Sequence, residues 1–183
     1  NTTLLKEWPG GVLIISGANS SASLRSMPAR YLFADEVDAY PVDLDGEGDP
    51  LSLAEARTST FAAGRKLFIC STPTIKSLSV IDKEYQLSDR RRYYVPCPHC
   101  AHEQPLDWEH LNWHPGEPKS AAYTCAGCGA LIPEHAKTEM LAAGRWIAEA
   151  PHSDYGAGFH LNSLYTPIGL GLSWAELAAL WER

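Results

Sequence analysis

The stretch RYLFADEVDAYP, residues 30–41, decides how the first half of this chain is read. Tyr31, Leu32, Phe33 and Ala34 form an apolar run that ends abruptly in Asp35 and Glu36, with Asp38 close behind. Such a run fits a buried strand, and the acidic pair marks the point where the strand surfaces. In open α/β sheets the C-terminal edge of the strands is where ligands bind. An Asp at a strand tip can hold Mg2+, and a neighbouring Glu can orient or deprotonate an attacking water, which suits nucleotide hydrolysis. A strand running into a solvated acidic turn would carry the same residues, so the pair needs support from elsewhere.

KLFICSTP, residues 66–73, supplies it: an apolar strand stopped by Pro73, with Ser71 and Thr72 at its end. Their hydroxyls would face the same edge, where they can sense a terminal phosphate or its water. Ser, Thr and Pro also end strands through ordinary turn chemistry. VLIISGA, residues 12–18, reads as a further buried strand, and NSSASLRSM, residues 19–27, as a polar loop or short helix. A helix is expected over 49–64, with Asp49 as cap and Pro50 in its first turn; Ser52 and Glu55 offer an alternative capping box. SLSVIDKEYQLSD, residues 77–89, reads as another helix. Strands alternating with helices predict an α/β fold whose mostly parallel sheet carries helices on its faces.

A hydrolase of this kind needs a phosphate loop, G-x-x-x-x-G-K-S/T, and the sequence contains no match. Pro9-Gly10-Gly11 lacks the Lys and the following hydroxyl. The chain opens on Asn1 rather than Met, so we expect a piece of a longer protein whose phosphate loop precedes residue 1. Residues 1–183 alone are then expected to hydrolyse ATP negligibly. DLDGEGDP, residues 43–50, invites a calcium reading, but counting from Asp43 places Ala54 where the loop's bidentate Glu belongs. It reads as a polar, glycine-containing loop.

Hydrophobic residues make up 45% and charged residues 20% of the chain, as in a globular domain with an appendage. No apolar run approaches the ~18 residues that span a membrane. The start lacks the basic-then-apolar pattern of a secretory signal. A net charge of −7, from 22 acidic and 15 basic residues, argues against a domain that coats nucleic acid but leaves room for local contacts. Arg90, Arg91 and Arg92, followed by Tyr93 and Tyr94, fit either such a contact or a solvated charge cluster.

Four of the five cysteines form two pairs, Cys97-Pro98-His99-Cys100 and Cys125-Ala126-Gly127-Cys128, with 24 residues between them. Each tight turn presents two thiolates, and two turns complete a tetrahedron around a structural zinc, a zinc ribbon over 95–132. Four thiolates leave no open position for catalysis. His99 and His102 are expected to be peripheral, the other histidines follow no ligand spacing, and Cys70 reads as a buried strand residue. Residues 133–183 read as a helical connection. One helix, 133–144, is closed by Gly144; a last one is opened by a Ser173–Glu176 capping box and carries an apolar stripe of Leu177, Leu180 and Trp181.

The order of Asp-Glu strand, Ser-Thr-Pro strand and four-cysteine module resembles the large terminase subunit of tailed bacteriophages, in its GpA-like branch. GANSSASLRS, RYLFADEVDAYP, GEGDPLSLAEARTSTF, STPT, YYVPCPHC, YTCAGCG and GFHLNSLYTP carry the resemblance across essentially the whole chain. It implies a partial P-loop-type ATPase, with residues 1–94 as the C-terminal part of the ATPase domain and 133–183 leading toward a nuclease. It implies that Asp35 matches the Walker B magnesium residue, Glu36 the catalytic carboxylate, and Ser71 and Thr72 the motif coupling hydrolysis to DNA movement. ATP and Mg2+ follow as expected cofactors. Double-stranded DNA, a terminase small subunit and a portal protein follow as partners, in a homo-oligomer acting in the host cytoplasm away from any membrane. Two rivals share these motifs: a helicase-like ATPase with a zinc ribbon, and a non-catalytic zinc-ribbon module that binds nucleic acid or protein.

Overall fold

Pro9 and Gly10 reverse the chain almost at once. In a computed structural model, which describes residues 2–25, 27–75 and 77–183, Leu5–Trp8 (β1) pairs antiparallel with Gly11–Ile14 (β2), Trp8 facing Gly11. Proline pre-sets the first central residue of such a turn, and Gly10, at φ +90°, supplies the left-handed second one. The indole of Trp8 covers Gly11 so closely that a Cβ there would lie 2.7 Å from it. This corrects the buried strand expected over 12–18. The strand ends at Ile14 and belongs to a hairpin, and Val12, Leu13 and Ile14 stay exposed.

The chain divides into two units, residues 1–83 and 84–183. In the first, Ser21–Arg25 forms a short helix (α1); Ser26, in the same stretch, lies outside the described residues. Tyr31–Asp35 (β3) and Lys66–Cys70 (β4) pair parallel, in register from Tyr31 with Lys66 to Asp35 with Cys70. Between them runs Pro50–Ala56 (α2), capped by Asp49, whose carboxylate accepts the Ser52 N–H at 2.9 Å. The helix stops at Ala56, and Ser59–Gly64 continues as a tighter 3-10 turn. Alternate residues divide the faces of the sheet. Ala34 joins Val37 and Leu51 in a small core, backed by Ile69, Val80 and Ile81, while Phe33 and Phe68 remain exposed.

The mostly parallel sheet expected from the sequence is not what forms. Among the described residues the β3–β4 pair and one contact in the second unit are parallel, and every other pairing is antiparallel. The fold is mixed α/β with small sheets. The physical reason in the first unit is local: the Pro9–Gly10 turn satisfies the backbone of residues 11–14 within the hairpin.

Val80–Leu87 (α3) leads into the second unit. There Arg91–Pro96 (β5) is the hub: Glu103–Pro105 (β6) and Arg145–Ala148 (β10) pair with it antiparallel, and Phe159–His160 (β11) parallel. Leu111–His114 (β7), Glu117–Thr124 (β8) and Leu131–Pro133 (β9) form an antiparallel meander, followed by helix Lys137–Ala142 (α4). Residues 133–183, expected as helical, thus also contribute strands. The last helix, Trp174–Trp181 (α5), opens with the expected capping box: Ser173 Oγ accepts the Glu176 N–H at 3.1 Å, and Glu176 Oε2 accepts the Ser173 N–H at 2.8 Å. Its buried stripe is Trp174, Leu177 and Ala178; Leu180 and Trp181 face solvent. The face is set by Trp174 in the first turn, one turn earlier than the stripe read from the sequence.

A single core joins the cysteine region to this helix: Val95, Leu106, Tyr123, Ile132, Leu164 and Trp174 are all essentially inaccessible. The polar atoms of three of its aromatic side chains are satisfied. The Tyr165 hydroxyl donates to Tyr93 O at 2.7 Å and accepts the Leu106 N–H at 2.6 Å. The Tyr123 hydroxyl donates to Pro105 O and accepts the Asp107 N–H, both at 3.0 Å. Trp174 Nε1 donates to Leu164 O at 3.0 Å. Trp174→Ala removes the largest of these side chains and orphans that carbonyl, so the second unit should lose about 3–5 kcal/mol in denaturant unfolding. A loss under about 1 kcal/mol would mean that α5 is not part of this core.

Candidate functional site

Two constellations stand out, one in each unit. The first lies at the C-terminal edge of β3 and β4, whose register brings Asp35 level with Cys70 and so carries Glu36 and Ser71 off the same edge. Asp35 is exposed, and its Oδ1 accepts the Cys70 thiol at 3.1 Å. Cys70, read from the sequence as merely buried, is therefore half-buried and bonded to the carboxylate. That bond, foremost, together with burial, pushes its thiol pKa up. Glu36 ends the strand in the left-handed region, φ 55° and ψ 44°. A non-glycine residue there is uncommon and carries backbone strain of a kind that clusters at functional sites. The 3-10 turn Val37–Ala39 follows, closed by the Ala39 N–H on Glu36 O at 2.9 Å.

Asp38, noticed in the sequence but given no role, is the best-connected acid of this edge. Its own N–H donates to Ser71 Oγ at 3.1 Å. Its carboxylate accepts the Thr74 N–H at 2.9 Å, the Thr74 hydroxyl at 3.0 Å and the Ile81 N–H at 2.9 Å. Burial works against the charged form, but the Ile81 amide, the Ser79 hydroxyl and the Thr74 donors outweigh it and hold its pKa down to about 2. Thr72 is exposed beside Ser71, whose hydroxyl also donates to Thr72 O at 3.3 Å. Asp35, Glu36, Ser71 and Thr72 are thus brought to one edge. No sequence signal singled out Asp38, because its partners are amides and hydroxyls 33 or more positions away.

The neighbouring acidic loop does not offer a cation site. Asp43 accepts the Gly46 and Gly48 N–H groups at 2.7 and 3.0 Å, and Arg25 pairs with Glu47 at 2.9 Å. Gly46 and Gly48 both adopt positive φ, which explains their presence.

The second constellation is the cysteine quartet. The sulfurs of Cys97, Cys100, Cys125 and Cys128 all lie within 4.8 Å of one another, and no histidine joins them among the described residues. The two turns are built alike. Cys97 N–H donates to His102 O at 2.9 Å, and Cys125 N–H to Ala130 O at 3.0 Å. Ala101 and Gly129 close back on Cys97 O and Cys125 O at 2.9 Å, both with left-handed φ, 59° and 72°. His99 N–H points at Cys97 Sγ and Gly127 N–H at Cys125 Sγ, at 3.4 and 3.3 Å. Amides aimed at sulfur favour thiolate. Although burial opposes it, the Cys128 and Gly127 amides bring Cys125 down to about 6. In Cys100 a hydrogen bond with the His102 backbone amide favours thiolate too, but hydrogen bonding with the other three sulfurs and burial prevail, raising it to about 12. Four sulfurs contending for protons in this way are the donor set a single cation satisfies. The His102 ring packs on Gly127, where a Cβ would lie 2.6 Å from it.

Two of the three arginines before the cysteines, Arg91 and Arg92, are spent within the fold. Arg91 pairs with Asp89 at 2.8 Å, and Arg92 bonds Asp107 and lies 4.0 Å from Glu149. Neither guanidinium is a free phosphate ligand.

Comparison with known proteins bears on both constellations. The chain matches the family described as "Phage terminase large subunit gpA, ATPase domain" over residues 1–146. It is 32% identical over 157 residues to a protein named "Terminase, large subunit" from Enterobacteria phage P21, covering 81% of this chain and 24% of that protein. It is 28% identical over 207 residues to "Terminase, large subunit" from Escherichia phage lambda, covering 100% of this chain and 32% of that protein. The chain therefore spans about a quarter to a third of the length of these curated relatives. No solved structure matches it.

Asp38 makes the first unit's stability depend on pH in a defined direction. Its folded pKa of about 2 lies below the ordinary 3.8, so its contribution is fully present above about pH 4 and lost as pH falls toward 2. The difference in melting temperature between the wild-type chain and Asp38→Asn should be constant near neutrality and close over that window. A difference that persists unchanged at pH 2 would place the effect elsewhere.

Proposed function

Because the chain belongs to the family of phage terminase large subunit gpA ATPase domains, we propose that it supplies the hydrolytic edge of a DNA-packaging motor. In the full-length protein, ATP hydrolysis would drive double-stranded DNA into a capsid. The observation that carries this reading is the parallel register of β3 on β4, which gathers Asp35, Glu36, Ser71 and Thr72 at one strand edge. A partial P-loop-type fold is the architecture in which such an edge faces nucleotide phosphates. Glu36 in a left-handed conformation beside an exposed Asp35 supports the same reading. The small subunit, the portal, a homo-oligomeric ring and host cytoplasm belong to the same reading, as does a nuclease elsewhere in the longer protein.

The residues divide the work by chemistry. Asp35 would hold Mg2+, with the Cys70 thiol fixing its Oδ1. When bound, the ion neutralises phosphate charge as it develops. Glu36, one residue on, would orient the attacking water and take its proton. Ser71 and Thr72 would report the state of the terminal phosphate to the chain that follows them. In the second unit the four cysteines would hold zinc, the ion suited to a closed set of four thiolates, in a structural role.

Asp35 and Glu36 should fail differently in the full-length protein. Asp35→Ala should weaken both nucleotide binding and turnover. Glu36→Gln keeps shape but loses basicity, so nucleotide should still bind while turnover drops by about 10²–10⁴-fold. Packaging at a near-normal rate by Glu36→Gln would remove the catalytic centre from this edge.

Elemental analysis should find about one zinc per chain. Chelation should melt residues 95–130 before the first unit, because metal binding is folding free energy there. Gly127→Ala should speed zinc release to a chelator, since its Cβ would displace the His102 ring. Four promptly reactive thiols in the native, metal-free chain would overturn the assignment.

A further inference from the structure

Asp38 bridges three segments: the turn after β3 through its own backbone, the segment after β4 through Ser71 and Thr74, and the start of α3 through Ile81. Carboxylates of the chain differ in reach. Asp43 binds amides within its loop, and Asp89 binds Arg91 and the Gly158 N–H beside the strand ladder. Glu36 and Asp38 also share one short, closed turn. Val37 between them is 1% exposed and anchored in the core, and the Ala39 amide closes the turn on Glu36 O. A displacement of the Ser71–Thr74 segment must therefore pull on Asp38, and through this short turn on Glu36.

We propose that Asp38 is a positioning residue that locks the Glu36-bearing turn to the Ser71–Thr74 segment and to the start of α3. This rests on the reading of Glu36 as the group that acts on the attacking water. Asp38 touches no substrate. It holds Glu36 at the angle catalysis needs, and it makes any shift at Ser71–Thr74 coincide with a shift at Glu36. The carboxylate's low pKa agrees with this geometry, because the charged form is the one that all the donors favour.

The test is steady-state ATP turnover by the full-length protein, with nucleotide affinity measured alongside. Asp38→Asn turns an amide NH2 toward donors and should lower kcat by about 10–100-fold, with KM for ATP within about two-fold of wild type. Thr74→Val keeps size and the backbone donor, loses only the hydroxyl bond, and should lower kcat by roughly two- to ten-fold without endangering the fold. Asp38→Asn combined with Thr74→Val should be no slower than Asp38→Asn alone, because the Thr74 hydroxyl bonds that same carboxylate. Wild-type kcat in Thr74→Val, kcat within about two-fold of wild type in folded Asp38→Asn, or multiplying effects in the double variant would each overturn the proposal. Glu36→Gln run in parallel separates the two readings. Normal turnover there defeats the catalytic edge itself, whereas slow turnover beside an unaffected Asp38→Asn defeats the positioning role alone.

Discussion

The first unit depends on the register of one parallel strand pair. Side chains on a strand alternate faces, so a slip of one residue between β3 and β4 would turn either Ala34 or Ile69 out of the core. It would also carry Ser71 away from the Asp38 amide it accepts. The buried alternation and the polar edge therefore select the same register. Neither strand has a turn of its own to fix the pairing, since parallel strands are joined by a long crossover. Here that crossover is the capped α2 and the loop ordered by Asp43, while Asp38 fastens the far ends.

The second unit solves a related problem with different means. Its strands are short, three of them only two or three residues long, and could not stand alone. Two self-similar cysteine turns and three aromatic side chains with satisfied polar atoms, Tyr123, Tyr165 and Trp174, hold them in one core. The hydroxyls and indole N–H end on strand and loop carbonyls, so each aromatic both fills volume and closes a backbone vacancy.

How much of this could be read in the sequence follows from the range over which each feature is determined. The cysteine turns were legible because a Cys-x-x-Cys knuckle is a local object with a local geometry. The edge acids and hydroxyls were legible because apolar runs ending in polar residues mark strand tips. The capping residues Asp49 and Ser173 were read correctly for the same reason, and the structure chose Asp49 over the Ser52 alternative. The hairpin is not announced, because Lys6 and Glu7 break the apolar pattern before Pro9-Gly10 and leave no clear first strand to pair with residues 11–14. The strands of the second unit were illegible: β5 pairs with residues more than 50 positions away, and nothing periodic announces two- or three-residue strands. Asp38 and the carboxylates that absorb Arg91 and Arg92 belong to that class, since their roles exist only once distant backbone meets.

The bare side of the β3–β4 pair has a consequence for the chain in solution. Phe33 is 73% exposed and Phe68 58%, and no further strand among the described residues pairs with either edge. A short apolar ribbon with open N–H and C=O groups is a template on which other chains can add strands. Self-association through strand addition should therefore begin at residues 31–35 and 66–70. A single Lys in place of Phe33 or Phe68 would act as a gatekeeper there, away from the carboxylates at the strand tip.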